Sequence, residues 1–399
     1  MLKPSPASAP SSDRPAALVF APESPYPVIG GGPLRTASVL EYLRIRYALE
    51  VITCREPGAP DPRAHFPEDF RVHVLDLPWH SKRAAARTAR NVDRWVRGVP
   101  PLIDRFSGFS ESVARIISGK QFDLGVIEHF WCASYAEVLR PVCRRLALNL
   151  HNIESVLLSR CADAERGPSG ILFRRWAANC RRLEQKWLPR FDLILAASEA
   201  DAARLPVPAL VYPNAIPYRP LPLEVKRTEE IVFSGNLEYQ PNQSAVRWFA
   251  REVWPGIRRE LPHATWKLIG KNEHGVRALL ASTDSISFTG PVDDAVRELA
   301  RSAVAVAPLI SGSGTRVKII EAWAAGLPVI STTVGAEGLP GVDGRDLILA
   351  DTPAVFAASV VKVLQTPFLA HSLSASGRRL YEEHLTWEAA WNILSRQGL

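Results

Sequence analysis

Residues 311–339 read SGSGTRVKIIEAWAAGLPVISTTVGAEGL. The opening Gly312, Ser313, Gly314 and Thr315 are small enough to leave backbone N–H groups accessible. Arg316 and Lys318 follow at once, and Val317, Ile319 and Ile320 supply apolar faces. From Glu321 an Ala-rich run is expected to be helical and to stop at Gly326, which tolerates the positive φ of a helix C-terminus. A short buried strand is expected over 327–330, and Gly335 and Gly338 punctuate the next loop. A flexible loop feeding a helix N-terminus, with two cations in the first turn, is an anion site, most naturally for phosphate. Glu321, one turn deeper, repels phosphate and suits sugar or ribose hydroxyls instead. Taken alone, Lys318 and Glu321 would be an ordinary i,i+3 helix pair worth about 0.3 kcal/mol.

The same alternation of strand, loop and helix extends in both directions. An apolar run over 303–309 delivers the chain into the loop. Further strands are expected over 231–234, 266–270 and 286–290, with Gly235, Gly290 and Val292 in the loops that follow. Upstream, 207–223 holds Pro208, Pro213, Pro217, Pro220 and Pro222, a density that rules out a helix or a central strand and marks a linker over 207–228. Before it, strands are expected over 16–21, 50–54, 71–75, 122–127, 146–150 and 191–196, and a helix over 35–49. Gly30, Gly31 and Gly32 fall in the first strand-to-helix loop, where a backbone can approach phosphate closely. Three glycines are also a plain turn, and Arg35 stands where a dinucleotide fingerprint needs its third glycine. A nicotinamide dehydrogenase is thereby excluded.

Polar residues cluster after two consecutive strands of the first half. Glu128 and His129 follow 122–127, and His151, Asn152 and Glu154 follow 146–150. Open parallel sheets bind ligands at such strand ends. A lone histidine there is usually a satisfied buried side chain; two at successive strand ends point to a site. In the helix expected over 174–190, Trp176, Leu183 and Trp187 recur at core-packing spacing and are read as structural. Ser198 and Glu199 are read as a helix cap.

At 399 residues the chain exceeds one comfortable core, so two domains are expected. Residues 1–15 are rich in Pro, Ser and Ala and lack the apolar stretch of a signal peptide; a disordered lead is expected. Five scattered cysteines without a C-x-x-C spacing fit a reducing cytoplasm better than a disulfide framework or a zinc site. The net charge of +7 concentrates in 80–105, where Arg alternates with Ala, Val and Trp. That segment suits an anionic membrane surface or a solvated helix over the first domain. No nucleic-acid-binding pattern accompanies the charge, so nucleic acid is not an expected partner.

The 311–339 stretch resembles the donor-binding signature of retaining glycosyltransferases of family 4, G-x-G-x-R-x-K-[ILV]-x-E-A-x-A-x-G-x-P-V-[VI]-x-[ST], in the subgroup that builds exopolysaccharide. Tyr212-Pro-Asn-Ala-Ile, the 233–270 segment and Leu385-Thr-Trp-Glu also resemble that family. The resemblance implies an α/β fold of two Rossmann-like domains facing across a cleft (GT-B). An acceptor-side domain would span 16–206 and a donor-side domain 229–380, with a terminal helix, 381–399, crossing back to the first. It implies that Arg316 and Lys318 hold the donor diphosphate, with Gly31, Gly32, Gly235, Gly314 and Thr315 around it. Glu321 would hold the ribose, Gly290 and Val292 would lie at the nucleobase, His151 would face the transferred sugar, and His129 and Glu128 would line the acceptor pocket. The chain departs from the family at Ser313, where many members carry a second Glu. Arg and Lys residues that some members carry after Gly235 are absent too, and Gln240 and Asn242 occupy that neighbourhood.

No D-x-D triad of metal-dependent sugar transferases occurs, so no metal and no cofactor beyond the nucleotide-sugar substrate is expected. The expected activity is retaining transfer from a nucleoside-diphosphate sugar to a sugar or lipid-linked acceptor. The expected place is the cytoplasm or the inner face of the membrane. The alternative, motivated by Ser313, is a nucleotide-sugar-binding scaffold without turnover.

Overall fold

The computed structural model describes the chain except residues 1–13, 29–30, 82, 165–166, 223–228, 273, 279, 281–283 and 312–315. Most of the expected N-terminal lead therefore lies outside the described residues. Two compact units emerge. Unit 1 comprises Met1–Ala196, Asp201–Val211 and Leu399; unit 2 comprises Ala197–Ala200 and Tyr212–Gly398.

Unit 1 is built on a seven-stranded sheet: β1 (Ala16–Ala21), β2 (Ala48–Arg55), β3 (Arg71–Asp76), β4 (Phe122–Glu128), β5 (Cys143–Asn149), β6 (Leu193–Ala196) and β7 (Leu210–Val211). Their order is β3-β2-β1-β4-β5-β6-β7, and every pairing is parallel. Helices cover both faces of such a sheet, so its central strands are apolar throughout, as AALVFA of β1 shows. The chain winds one way from β1 to β3 and the other way from β4 onward. The C-terminal ends of β1 and β4 therefore flank a topological switch point, where loops diverge and leave a crevice.

Unit 2 repeats the plan with six parallel strands: β8 (Glu230–Ser234), β9 (Thr265–Ile269), β10 (Ile286–Phe288), β11 (Val304–Ala307), β12 (Val329–Ser331) and β13 (Ile348–Leu349). The order is β10-β9-β8-β11-β12-β13, so its switch point lies between β8 and β11. An aromatic core fills one face. Phe249 packs on Trp266 at 4.5 Å between centroids and meets Phe356 edge-on at 5.8 Å. Trp323 is fully buried and donates its indole N–H to the Asp346 carbonyl at 3.0 Å.

Three local expectations shift. The helix expected over 35–49 is Gly31–Arg44, and Leu49 belongs to β2. Gly-Gly-Pro reads as a loop by propensity, but a first helical turn has no use for the proline N–H, so Pro33 is accepted there. The helix expected from Glu321 is Val317–Ala324. Burial of Val317, Ile319 and Ile320 overrides their modest helix propensity. Within the proline-rich 207–223, β7 completes the first sheet at its edge.

The last helix, Trp387–Arg396, groups with unit 2 and Leu399 alone with unit 1. Trp387 explains this, because its backbone N–H reaches the Ile216 carbonyl at 3.0 Å and its indole N–H reaches Ala215 at 3.2 Å. Among the described residues no single helix is long and apolar enough to cross a membrane. All five cysteines are free thiols.

Candidate functional site

In unit 2 the expected donor residues collect at the β8/β11 switch point. Lys318 lies in the second turn-position of the Val317–Ala324 helix, and its Nζ donates to Asn242 Oδ1 at 2.7 Å while lying 4.0 Å from the Phe233 ring centre. Asn242 is fixed in turn by its own amide, which donates to the Asn236 carbonyl at 2.8 Å. The Lys318–Asn242 contact was not legible in the sequence, because the partners are 76 residues apart. Asn242, which stands near where some relatives of the motif carry a cation, thus aims the cation that remains.

Glycines hold the floor of this site close. Gly235 follows β8 at φ +153, and a Cβ there would stand 2.8 Å from Asn242 Nδ2 and 3.2 Å from Lys318 Nζ. Gly270 follows β9 at φ +146, and a Cβ there would stand 1.8 Å from the Gly235 carbonyl oxygen. Its N–H donates to the Gly290 carbonyl at 3.2 Å. Three successive strand-end loops therefore stack through Gly235, Gly270 and Gly290. Sequence reading singled out the first and third of these glycines. Gly270, the tightest, was read as the end of a strand.

Charges are concentrated here. Arg316, at the N-cap of the helix, is only 5% exposed, and its Nη2 lies 3.8 Å from Glu337 Oε2. Burial, helped by the Arg316 charge and opposed by Glu321, pushes the Lys318 ammonium down to about 7. Burial likewise pushes the Glu321 carboxyl up to about 7, with Lys318 opposing and Asp294 adding to the rise. Lys318 and Glu321 keep some exposed surface. Among the described residues the Glu321 carboxylate accepts no hydrogen bond and makes no ion pair. A half-buried carboxylate with open acceptor sites is chemically fit to take hydroxyl donors. Asp294, four residues beyond Gly290, caps the Ala295–Leu299 helix by accepting from Arg297 N–H at 3.1 Å. Gly314 and Thr315, with Ser313, lie outside the described residues.

In unit 1 the strand-end residues form one buried cluster at the β1/β4 switch point. Glu128 ends β4 with no exposed surface. Its carboxylate accepts from Asn149 Nδ2 at 3.1 and 3.0 Å and from Thr36 Oγ1 at 3.1 Å, and it contacts His151 Nε2 at 2.8 Å. Arg35 Nε donates to Asn149 Oδ1 at 2.9 Å, which orients the amide. His129, at the uncommon φ of +63, stacks on His151 at 3.6 Å and on Trp131 at 4.1 Å. Trp131 Nε1 donates to Glu154 Oε1 at 2.8 Å, and burial raises the Glu154 carboxyl to about 7.

Burial also holds both histidines well below their ordinary range. The neighbouring His151 charge adds to this at His129, and the Arg35 charge does so at His151. Glu128, expected to line an acceptor pocket, has no exposed surface in this structure. Gly31 and Gly32 lie in the first turn of the Gly31–Arg44 helix, and nothing lies within 4 Å of where a Cβ on Gly32 would stand.

Two parallel α/β sheets, each with its polar residues gathered at the switch point, define the class: the two-domain fold of GT-B glycosyltransferases. The comparisons agree. Residues 228–366 match the family model described as glycosyl transferases group 1. An uncharacterized 44.6 kDa protein in the cps region of Klebsiella pneumoniae is 24% identical over 139 residues, which cover 33% of this chain and 36% of that relative. Among solved structures, the chain is similar to sucrose-phosphate synthase from Thermosynechococcus elongatus, with a TM-score of 0.71 at 16% identity, over 96% of this chain and 98% of that one. It is also similar to Anabaena HepE in complex with UDP-glucose (TM-score 0.65, 15% identity, 96% and 100% covered). A third similar structure is S. aureus TarM in complex with fondaparinux, alpha-GlcNAc-glycerol and UDP (TM-score 0.65, 8% identity, 96% and 99% covered).

Proposed function

We propose that the chain is a glycosyltransferase that moves a sugar from a nucleoside-diphosphate sugar to an acceptor hydroxyl, with retention and without a metal or further cofactor, in polysaccharide or glycoconjugate synthesis. The observation that carries the reading is the pairing of Lys318, held by Asn242 at the switch point of unit 2, with Glu321 one helical turn deeper and open to hydroxyl donors. In this reading Lys318 and Arg316 neutralise the charge that grows on the departing diphosphate, and Glu321 takes the ribose hydroxyls. Gly31, Gly32, Gly235, Gly314 and Thr315 are the residues assigned to the phosphates in this reading. Gly290 and Val292 meet the base, His151 meets the transferred sugar, and His129 lines the acceptor pocket. The nucleotides bound by HepE and TarM, and the cps-region relative, support the donor class and the pathway class.

Titration with UDP-glucose, followed by a transfer assay with sugar and lipid-linked acceptors, tests this. Glu321→Ala and Lys318→Ala variants that bind and turn over donor like the parent would overturn it. Unchanged turnover in chelator and an α-configured product from an α-configured donor are the expected results for metal independence and retention. The second reading, a binding scaffold, is favoured by Ser313 and is distinguished by nucleotide affinity without turnover.

We also propose that the basic 80–105 segment meets an anionic membrane surface. Its Ala84–Arg97 helix turns Arg94 inward, to Asp104 at 2.8 Å, and turns Val92, Trp95 and Val96 outward. Trp79 is 72% exposed, and Arg83 and Arg87 of the same segment are exposed as well. Exposed apolar side chains on a segment that also exposes arginine fit the boundary of an anionic bilayer. Sedimentation with phosphatidylglycerol vesicles, and its loss in Trp79→Ser/Val96→Ser, is the expected result. Equal binding to phosphatidylcholine, or none to either, would refute it.

A further inference from the structure

The buried cluster at the β1/β4 switch point leaves one group unexplained. Glu128 is a fully buried carboxyl on the last residue of β4, in a place where a ligand cannot touch it. Asn149 Nδ2 donates to its carboxylate within reach of both oxygens, and the amide cannot be reversed because its carbonyl already accepts from Arg35. Thr36 supplies a hydroxyl to Oε2. Burial raises the Glu128 carboxyl above its ordinary range, and the Asn149 and Thr36 donors oppose the rise. With those donors in place the carboxyl is read as the acceptor of the 2.8 Å contact with His151, which puts the proton on Nε2. His151 Nδ1 then carries a lone pair, and among the described residues it makes no hydrogen bond. The side chain of His151 retains 6% exposure. A flip of the ring would put Cε1 where Nε2 stands and lose the 2.8 Å contact with Glu128.

We infer that Glu128 is a positioning residue, which locks His151 as the Nε2–H tautomer and presents Nδ1 as an acceptor for a hydroxyl of the bound sugar. The inference rests on the reading of His151 as the residue that faces the transferred sugar. It goes further in stating which nitrogen acts, in which protonation state, and which buried group sets it. Thr36, 3.4 Å from the same Nε2, and Asn149 belong to the support. His129 is the second clamp, held over the ring by its own φ of +63 and by Trp131 on its other face.

The tautomer is read directly from imidazole proton–nitrogen correlation spectra of histidine-labelled protein, with His151 assigned by the signal lost in His151→Asn. The expected spectrum of the parent protein has the His151 proton on Nε2 and an unprotonated Nδ1. In Glu128→Gln the proton is expected to distribute between the two nitrogens. A His151 proton on Nδ1 in the parent protein overturns the inference, whatever any variant does. In the kinetic arm, Glu128→Gln is expected to lower kcat about 100-fold through a displaced hydrogen bond, with donor KM changed by less than about threefold. A rise in donor KM with kcat intact overturns the positioning role. Should the tautomer stand while no nucleotide sugar is turned over, the glycosyltransferase reading fails and the Glu128–His151 lock survives it.

Discussion

Lys318 and Glu321 are both displaced to about 7, from opposite directions, and a pH-resolved binding experiment separates them. At pH 8 the Lys318 ammonium is only about 10% charged in the free protein, and the Glu321 carboxyl is about 90% ionised. A diphosphate placed beside Nζ restores the ammonium, because a neighbouring anion favours the charged form. Binding of UDP-glucose, whose diphosphate does not itself titrate in this range, should then take up about 0.8 of a proton net, about 0.9 gained at Lys318 less about 0.1 released by Glu321. At pH 6 the populations invert: Lys318 is already charged, and Glu321 is about 90% protonated. Ribose hydroxyls that donate to a carboxylate favour its ionised form, so binding at pH 6 should release protons.

The assay is calorimetry in buffers of different ionisation enthalpy, where the slope of observed enthalpy gives the proton count. Linkage sets the sign of the affinity change. The group gains a proton on binding, so Kd should weaken as pH rises above 7, by up to about tenfold per unit until the pKa in the complex is passed. Lys318→Met should abolish uptake at pH 8 and leave release at pH 6. Glu321→Gln should do the reverse. A parent protein that exchanges no protons at pH 8, or a Lys318→Met variant that exchanges as many, refutes the placement of the diphosphate.

Three further perturbations follow from contacts described above. Asn242→Ala removes the group that aims Lys318, and loss of a hydrogen bond to a charged donor should weaken UDP-glucose binding by about 1.5 kcal/mol, measured by calorimetry with circular dichroism as the fold control. Gly377→Ala would set a Cβ 2.3 Å from Trp323 Cδ1, in a fully packed core; the unfolding transition of unit 2 in urea should move down by about 1–3 kcal/mol, and an unshifted transition would contradict the packing. Asp104→Ala strands the buried Arg94 and should cost about 3 kcal/mol in chemical unfolding. Burial opposes the effect, but Arg94 and Arg97 hold the Asp104 carboxyl below its ordinary range. The stabilisation it contributes is therefore complete above the unfolded value near 4 and is lost as pH falls through the folded one, an acid-sensitivity the variant should lack.

Sequence alone determined much of this protein. Apolar runs of four to eight residues ending in Gly or polar residues are local signals, and they located most of the parallel strands to within a few residues. The Arg316–Lys318–Glu321 spacing is local too, because a helix of 3.6 residues per turn places i and i+3 on one face whatever surrounds it. The helix starts at Gly31 and Val317 were misjudged for the converse reason. Propensity is a weak local term, and burial of Val317, Ile319 and Ile320 outweighs it.

What tertiary structure decided are relations that no spacing encodes. Strand order puts β8 beside β11 and β1 beside β4, and so brings Asn242 to Lys318 and Thr36 to Glu128. Close approach of two loops explains Gly270, whose sequence neighbours give no hint that a carbonyl lies where its Cβ would be. Tertiary packing left Glu128 without exposed surface, and turned the Ala84–Arg97 helix so that Arg94 faces in and Trp95 faces out. Hydrophobicity patterns describe which residues prefer water. Which of them obtain it is settled only when the whole chain competes for a finite interior.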